Sequence, residues 1–161
     1  MPSPDPAVRL EAPAGPWRGP VPVADIDSAP FWAGLRRHEL LILRCAGCRT
    51  WVHPPQASCP RCLSLDVRAE TPGDGRGTVY SFTVANREFA PGVPPPYVAA
   101  LVDLDEGDGV RLVTNLVNVA VGDVRIGMPV RPVFVDLELD LDGDGDGDDA
   151  GATLVYFEPA G

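Results

Sequence analysis

All four cysteines of the chain fall between Arg44 and Cys62, in RCAGCRTWVHPPQASCPRC. They form two CxxC pairs, Cys45 with Cys48 and Cys59 with Cys62, with residues 49 to 58 between them. Thiols placed in this way hold a metal, pair as disulfides or react. A CxxC turn points both sulfurs the same way, and two such knuckles facing each other complete the tetrahedron of structural zinc, with Zn–S distances of about 2.3 Å. The N-terminal sequence shows no basic stretch followed by an apolar one, and no run of about 18 apolar residues occurs, so a cytoplasmic protein with no membrane span is expected. In that reducing compartment the spacing favours zinc over disulfides. A redox dithiol of the thioredoxin kind uses one CxxC at a helix start in a βαβ setting, which this proline-interrupted stretch does not resemble, so no redox cofactor is expected.

Four thiolates around one Zn²⁺ carry a net charge of −2, and Arg44, Arg49 and Arg61 stand beside the ligands where they can offset it. His53 would be redundant in that set and is read as a loop or packing residue. A zinc closed by four sulfurs has no open position for water, and it leaves the chain without a free thiol. The remaining sequence offers no substitute: there is no GxSxG elbow, no GxxxxGK[ST] loop and no GxGxxG before a helix, and His38 and His53 are the only histidines. No catalytic residue is assigned, and an enzyme acting alone is not expected.

The elements that must carry this site read as a mainly β chain. Residues 1 to 24 hold seven of the 19 prolines and no apolar period, which predicts a flexible arm or linker. Residues 25 to 39 carry a helix signal, with Asp27 or Ser28 as cap, Pro30 in the first turn, and Phe31 and Leu35 on one face. Residues 40 to 72 form the four-cysteine zinc ribbon. From 73 to 161 the pattern turns to period two in GTVYSFTVAN, YVAALVDL, GVRLVTNLVN, MPVRPVFVDLEL and TLVYF, separated by Gly, Pro and Asp clusters. In the first of these, Tyr80, Phe82 and Val84 are expected on one face. Five short strands with Gly-rich corners suit a five-stranded OB-fold barrel. The acidic run at 140 to 150 lacks the twelfth-position Glu and the flanking helices of an EF-hand, so it reads as a solvated hairpin tip.

All 13 basic residues are arginine, and the net charge is −10. Residues 36 to 87 carry eight arginines against four carboxylates, whereas residues 101 to 161 carry three against fourteen. Ordinary surface solvation explains such a division, or the basic side faces an anionic group or an acidic partner.

The order of parts, FW in a short helix, RCAGC with CPRC, GRGTVYSFTV, PPPYVAALVDLDEG, RLVTNLV, VRIGMPV and YFEP, resembles the family of zinc-ribbon and OB-fold proteins known as domain of unknown function 35. The resemblance spans residues 25 to 160. It implies metal ligation by Cys45, Cys48, Cys59 and Cys62. It also implies a non-catalytic accessory subunit that binds a thiolase-fold enzyme (thiolase, acyltransferase or retro-aldolase) acting on acyl-CoA thioesters, some of them in steroid side-chain breakdown. Similar domains also follow a hot-dog hydratase domain in one polypeptide, and the proline-rich arm has the composition of such a linker. The expected assembly is two copies of each chain, with acyl-CoA bound together with the partner. Phe31, Trp32 and Arg36 are candidate partner contacts, although the aromatic pair could equally dock on its own domain. Arg36, Arg37 and Arg49 are candidates for the phosphates of coenzyme A. A single-stranded nucleic-acid binder and a free-standing acyl-CoA carrier are the alternatives. An acidic barrel half and a chain without lysine make a poor counterion-release surface for nucleic acid.

Overall fold

The computed structural model describes residues 5–89, 92–139 and 151–161. The acidic stretch expected as a hairpin tip, 140 to 150, therefore lies outside the described residues.

The chain enters as an extended segment with two short strands, β1 (Arg9–Leu10) and β2 (Pro16–Trp17), followed by helix α1 (Ala29–Leu35). The ribbon follows with β3 (Ile42–Cys45), β4 (Trp51–Val52) and β5 (Val67–Glu70). The last part contains β6 (Gly77–Ala85), β7 (Tyr97–Leu104), β8 (Arg111–Leu116), β9 (Val119–Ala120), β10 (Pro129–Asp136), β11 (Glu138–Leu139) and β12 (Thr153–Pro159).

Helix α1 starts with Ser28 at the cap position and Pro30 in the first turn, where its missing N–H costs nothing. The Ser28 side chain does not bond the helix end. Asp25 does the work instead: the Ser28 N–H donates to its carboxylate at 2.7 Å and the Asp25 N–H donates to Ser28 Oγ at 3.0 Å. The Ser28 hydroxyl, donating to the same carboxylate at 2.6 Å, and then the Ser28 N–H hold the Asp25 carboxyl below its ordinary range. Leu35 is fully buried, and Phe31 and Trp32 are half-buried against the core, meeting edge to face at 5.1 Å.

The five longer strands close a barrel in the order β10–β12–β8–β7–β6, with β6 returning to β10. Alternation supplies its core, because β7 turns Val98, Ala100, Val102 and Leu104 inward and β8 turns Leu112 and Leu116 inward. Strand β6 departs from simple alternation. Its register against β7 shifts between Val79 and Ser81, so Val79 is buried and Phe82 and Val84 also pack on the core, while Tyr80 is thrown outward. The expected common face for Tyr80, Phe82 and Val84 is thus broken by a bulge, which adds one residue to one strand and reverses the side-chain parity beyond it. Outside the barrel, the Tyr80 ring lies 3.3 Å below the Arg111 guanidinium, which also grips Asp103.

The proline-rich segment, read from the sequence as a flexible arm or linker, is extended and pairs with the barrel's outlying strands along its described length. Strand β1 pairs antiparallel with β9, and Leu10 is 4% exposed. Strand β2 pairs parallel with β11, bringing Trp17 beside Leu139. The absence of an apolar period concealed this docking, since two-residue strands spaced by prolines need only a single buried leucine and a single tryptophan.

Candidate metal centre and adjoining surface

Each knuckle is built by the same backbone device. The N–H of Cys45 donates to the Thr50 carbonyl at 2.9 Å, and the Arg49 N–H donates back to the Cys45 carbonyl at 3.1 Å. The second repeats it: Cys59 N–H to the Ser64 carbonyl and Leu63 N–H to the Cys59 carbonyl, both at 2.9 Å. Arg49 and Leu63, each four residues after the first cysteine of its pair, take left-handed backbone conformations with φ of 62° and 61°. A non-glycine residue there is uncommon and marks a turn held by its surroundings. The first knuckle leaves strand β3, which pairs with β4 on one side and β5 on the other.

The four sulfurs all lie within 4.8 Å of one another. Cys45 Sγ is 3.6 Å from Cys62 Sγ, and Cys48 Sγ is 3.5 Å from Cys59 Sγ. These separations are too long for disulfides, and every cysteine is free. A tetrahedron with Zn–S bonds of about 2.3 Å has edges of about 3.8 Å. The donor set therefore fits a closed tetrahedral site, with Cys45 and Cys59 fully buried and Cys62 on the exposed side. His53 is not among the clustered donors; it is half-buried with its Nδ1 unpartnered, and burial lowers its pKa.

The thiols are electrostatically unequal. Hydrogen bonds donated to the thiolate by the Thr50 hydroxyl, 3.2 Å from the sulfur, and by the Thr50 backbone N–H bring the Cys48 thiol down to about 6. At Cys62 the Ser64 N–H favours the thiolate, yet the facing Cys48 and Cys45 sulfurs outweigh it and push the thiol up to about 12. Four close sulfurs cannot all ionise against one another, and a bound cation removes that conflict.

The arginines expected to offset the site are mostly committed within the ribbon. Arg49 grips Glu70 through two bonds of 2.7 Å. Arg44 reaches the same carboxylate at 3.5 Å, donates to the Arg49 carbonyl at 2.9 Å and lies 4.4 Å over the Trp51 ring. Arg49 holds the Glu70 carboxyl below its usual range. Arg68 pairs with Asp66, Arg76 with Asp74 and Arg37 with Glu39. Of the three coenzyme A candidates, Arg37 and Arg49 are thus engaged, and Arg36 has no carboxylate partner among the described residues. Arg61 has none there either. Arg36 is exposed just beyond the end of α1, so it and the half-buried Phe31 and Trp32 share the same end element.

The residues missing from the sequence reading lie on the barrel's outer face beside α1. Trp17, Tyr97, Asn115 and Tyr156 line two adjoining clefts there, and Phe31 and Trp32 line the smaller one. A tryptophan among prolines was the available signal, because a free arm has no use for so large an apolar ring.

A ribbon with four converging thiols ahead of a closed five-stranded barrel defines the zinc-ribbon and OB-fold class. Two family profiles match it: "ChsH2, rubredoxin-like zinc ribbon domain" over residues 32–68 and "ChsH2, C-terminal OB-fold domain" over residues 70–135. The chain belongs to the DUF35 family. It is 34% identical over 107 residues to a DUF35 domain-containing scaffold protein of Methanocaldococcus jannaschii, covering 64% of this chain and 73% of that one. It is 39% identical over 115 residues to the 3-oxo-4,17-pregnadiene-20-carboxyl-CoA hydratase alpha subunit of Mycobacterium tuberculosis, covering 71% of this chain and 36% of that one. The chain spans about a third of the length of the hydratase alpha subunits it matches. Among solved structures it superimposes on a chain of the Ltp2-ChsH2(DUF35) aldolase with a TM-score of 0.72 and 38% identity, covering 86% of this chain and 98% of that one.

Proposed function

We propose that this chain is a non-catalytic accessory subunit of a thiolase-fold enzyme acting on acyl-CoA thioesters, with retro-aldol cleavage of a steroid-type side chain as the favoured reaction. The observation that carries this reading is the near-complete superposition on the DUF35 chain of an aldolase complex. The scaffold name of the archaeal relative supports it, and so does the chemistry of the site. Cys45, Cys48, Cys59 and Cys62 would hold one zinc ion, which supplies a structural cross-link between the knuckles. With the thiols engaged there, none of them is left to act as a nucleophile. Two copies of the chain per partner dimer form the simplest closed assembly, and acyl-CoA binds together with the partner. Arg36 is the candidate contact for a phosphate or a partner carboxylate, since Arg37 and Arg49 already hold Glu39 and Glu70.

A second reading, an accessory module of a hot-dog enoyl-CoA hydratase, draws on the hydratase alpha-subunit relatives. Nucleic-acid binding has less support, because most arginines of the ribbon are neutralised by neighbouring carboxylates. Turnover assays on acyl-CoA substrates test the proposal. The isolated chain should be inactive, and adding it should raise the activity of its thiolase-fold partner. Turnover by the isolated chain that is abolished by a point substitution in it would overturn the reading.

A further inference from the structure

The two cysteine knuckles share one backbone device and differ in what it carries. Each sets the residue after its second cysteine in the left-handed region, Arg49 at φ 62° and Leu63 at φ 61°. Glycine adopts that conformation freely, whereas a side chain there strains the backbone. At Arg49 the side chain accounts for the strain, because its two bonds of 2.7 Å to Glu70 tie the knuckle to β5. Leu63 makes no comparable contact. It is 76% exposed and stands outside the residues packed on the core, and Leu65, two positions on, is 78% exposed.

A single surface leucine needs no explanation. Two in one three-residue turn, the first in a conformation that favours glycine, call for one. The turn is also held still. The Ser64 carbonyl accepts from the Cys59 N–H at 2.9 Å, Ser64 Oγ accepts from the Asp66 N–H at 3.1 Å, and the Val67 N–H donates to the Leu65 carbonyl at 3.0 Å. Both leucines are thus presented on a fixed backbone, which lowers the ordering cost of binding. Beside them Arg61 is exposed with no carboxylate partner among the described residues, and Cys62 is the exposed corner of the sulfur cluster.

We propose that this tip, Arg61 to Leu65, docks into an apolar pocket of the partner enzyme rimmed by a carboxylate, and that docking covers the metal site at Cys62. The partner's identity rests on the accessory-subunit reading. The DUF35 chain of the aldolase is matched over 98% of its length, so a chain of this kind meets its enzyme with the ribbon, the helix or the barrel itself. A second copy is the poorer occupant, since a twofold contact at the tip sets Arg61 against Arg61 between chains of net charge −10. Nucleic acid is poorer still, because the turn offers no ring to stack on. Two leucines are a small part of the ~1,600 Å² of a stable complex, so the tip acts as an anchor within a broader interface.

The test uses the purified full chain and its thiolase-fold partner, with affinity measured by calorimetry and stability by thermal unfolding of the zinc-loaded chain alone. Leu63→Gly should weaken the complex by about 5- to 30-fold, the range of an interface anchor, while the unfolding midpoint of the free chain holds or rises. Leu65→Ser and Arg61→Glu should weaken the complex as well, and Ile126→Ser, an exposed apolar residue of the barrel, should not. Zinc extraction by the chelator 4-(2-pyridylazo)resorcinol should be at least about 10-fold slower from the complex than from the free chain, as expected when the exposed ligand is covered. A complex that forms equally well with all three tip variants, or loses zinc as fast as the free chain, defeats this inference and leaves the accessory role standing. A fall in the unfolding midpoint with Leu63→Gly would assign that leucine to the fold, and self-association of the free chain abolished by the same change would assign the tip to a second copy; either overturns the proposal. If the unsubstituted chain forms no complex, the accessory-subunit reading falls and takes the docking tip with it.

Discussion

At the scale of single residues, the cysteines carry the most information because their chemistry is local. A CxxC spacing fixes the direction of two thiols whatever the rest of the chain does, so all four members of the cluster could be named from sequence. Their supports could not. Thr50 at Cys48, the Arg49 and Arg44 grip on Glu70, and the left-handed turns at Arg49 and Leu63 depend on strand pairing brought about by β5. Purified chain should contain close to one zinc, and Cys59→Ser, which removes a fully buried ligand, should lose it. Metal analysis with hydrogen exchange checks this: the ribbon amides of residues 42 to 70 should lose protection, while those of β7 and β8 keep theirs. Zinc content unchanged by Cys59→Ser would show that the cluster is not the ligand set.

Among the elements, strands with strict alternation were legible and those that break it were not. Strand β7 reads correctly from its sequence, whereas the bulge at Tyr80 leaves no local mark, since Tyr, Phe and Val suit either face. The N-terminal segment was illegible for another reason: its proline content matches a linker, and its docking rests on long-range pairing with β9 and β11. Leu10→Ala distinguishes a docked strand from a free arm. It should cost about 2 kcal/mol in denaturant unfolding, the low end for a buried leucine, where a free arm would show no change. A second element-level contact ties α1 to the barrel. His38, stacked on Phe134, sits 3.1 Å from both oxygens of Asp136, which also accepts from Thr153. His38, and then Thr153, hold the Asp136 carboxyl below its ordinary value. A depressed carboxyl contributes stability that is complete above the unfolded-state range and is lost as the pH falls through the folded-state value. Asp136→Asn should therefore lower stability at neutral pH, by less than about 1 kcal/mol for so exposed a pair. The difference from the unsubstituted chain should vanish as the pH falls below the lowered folded-state value of the Asp136 carboxyl. A thermal-unfolding series across pH measures the convergence, and a constant gap would contradict it.

At the scale of the whole molecule, the helix and the docked segment line the clefts along one side of a closed barrel. The structure makes the short helix a less simple probe of the partner surface than its aromatic pair suggested. Phe31 and Trp32 both pack on the core, so truncating them would loosen α1 as well as any interface. Arg36 is exposed and unpaired among the described residues, which makes Arg36→Glu the cleaner substitution; charge reversal at an interface arginine typically costs about 2 kcal/mol or more of binding. Size-exclusion chromatography after co-expression with a thiolase-fold enzyme of the same organism tests the central claim most directly. The two chains should elute together at the mass of two copies of each, with the complex weakened by Arg36→Glu and the enzyme inactive or insoluble without its companion. Separate elution, with the enzyme alone as active as the mixture, would contradict the accessory role.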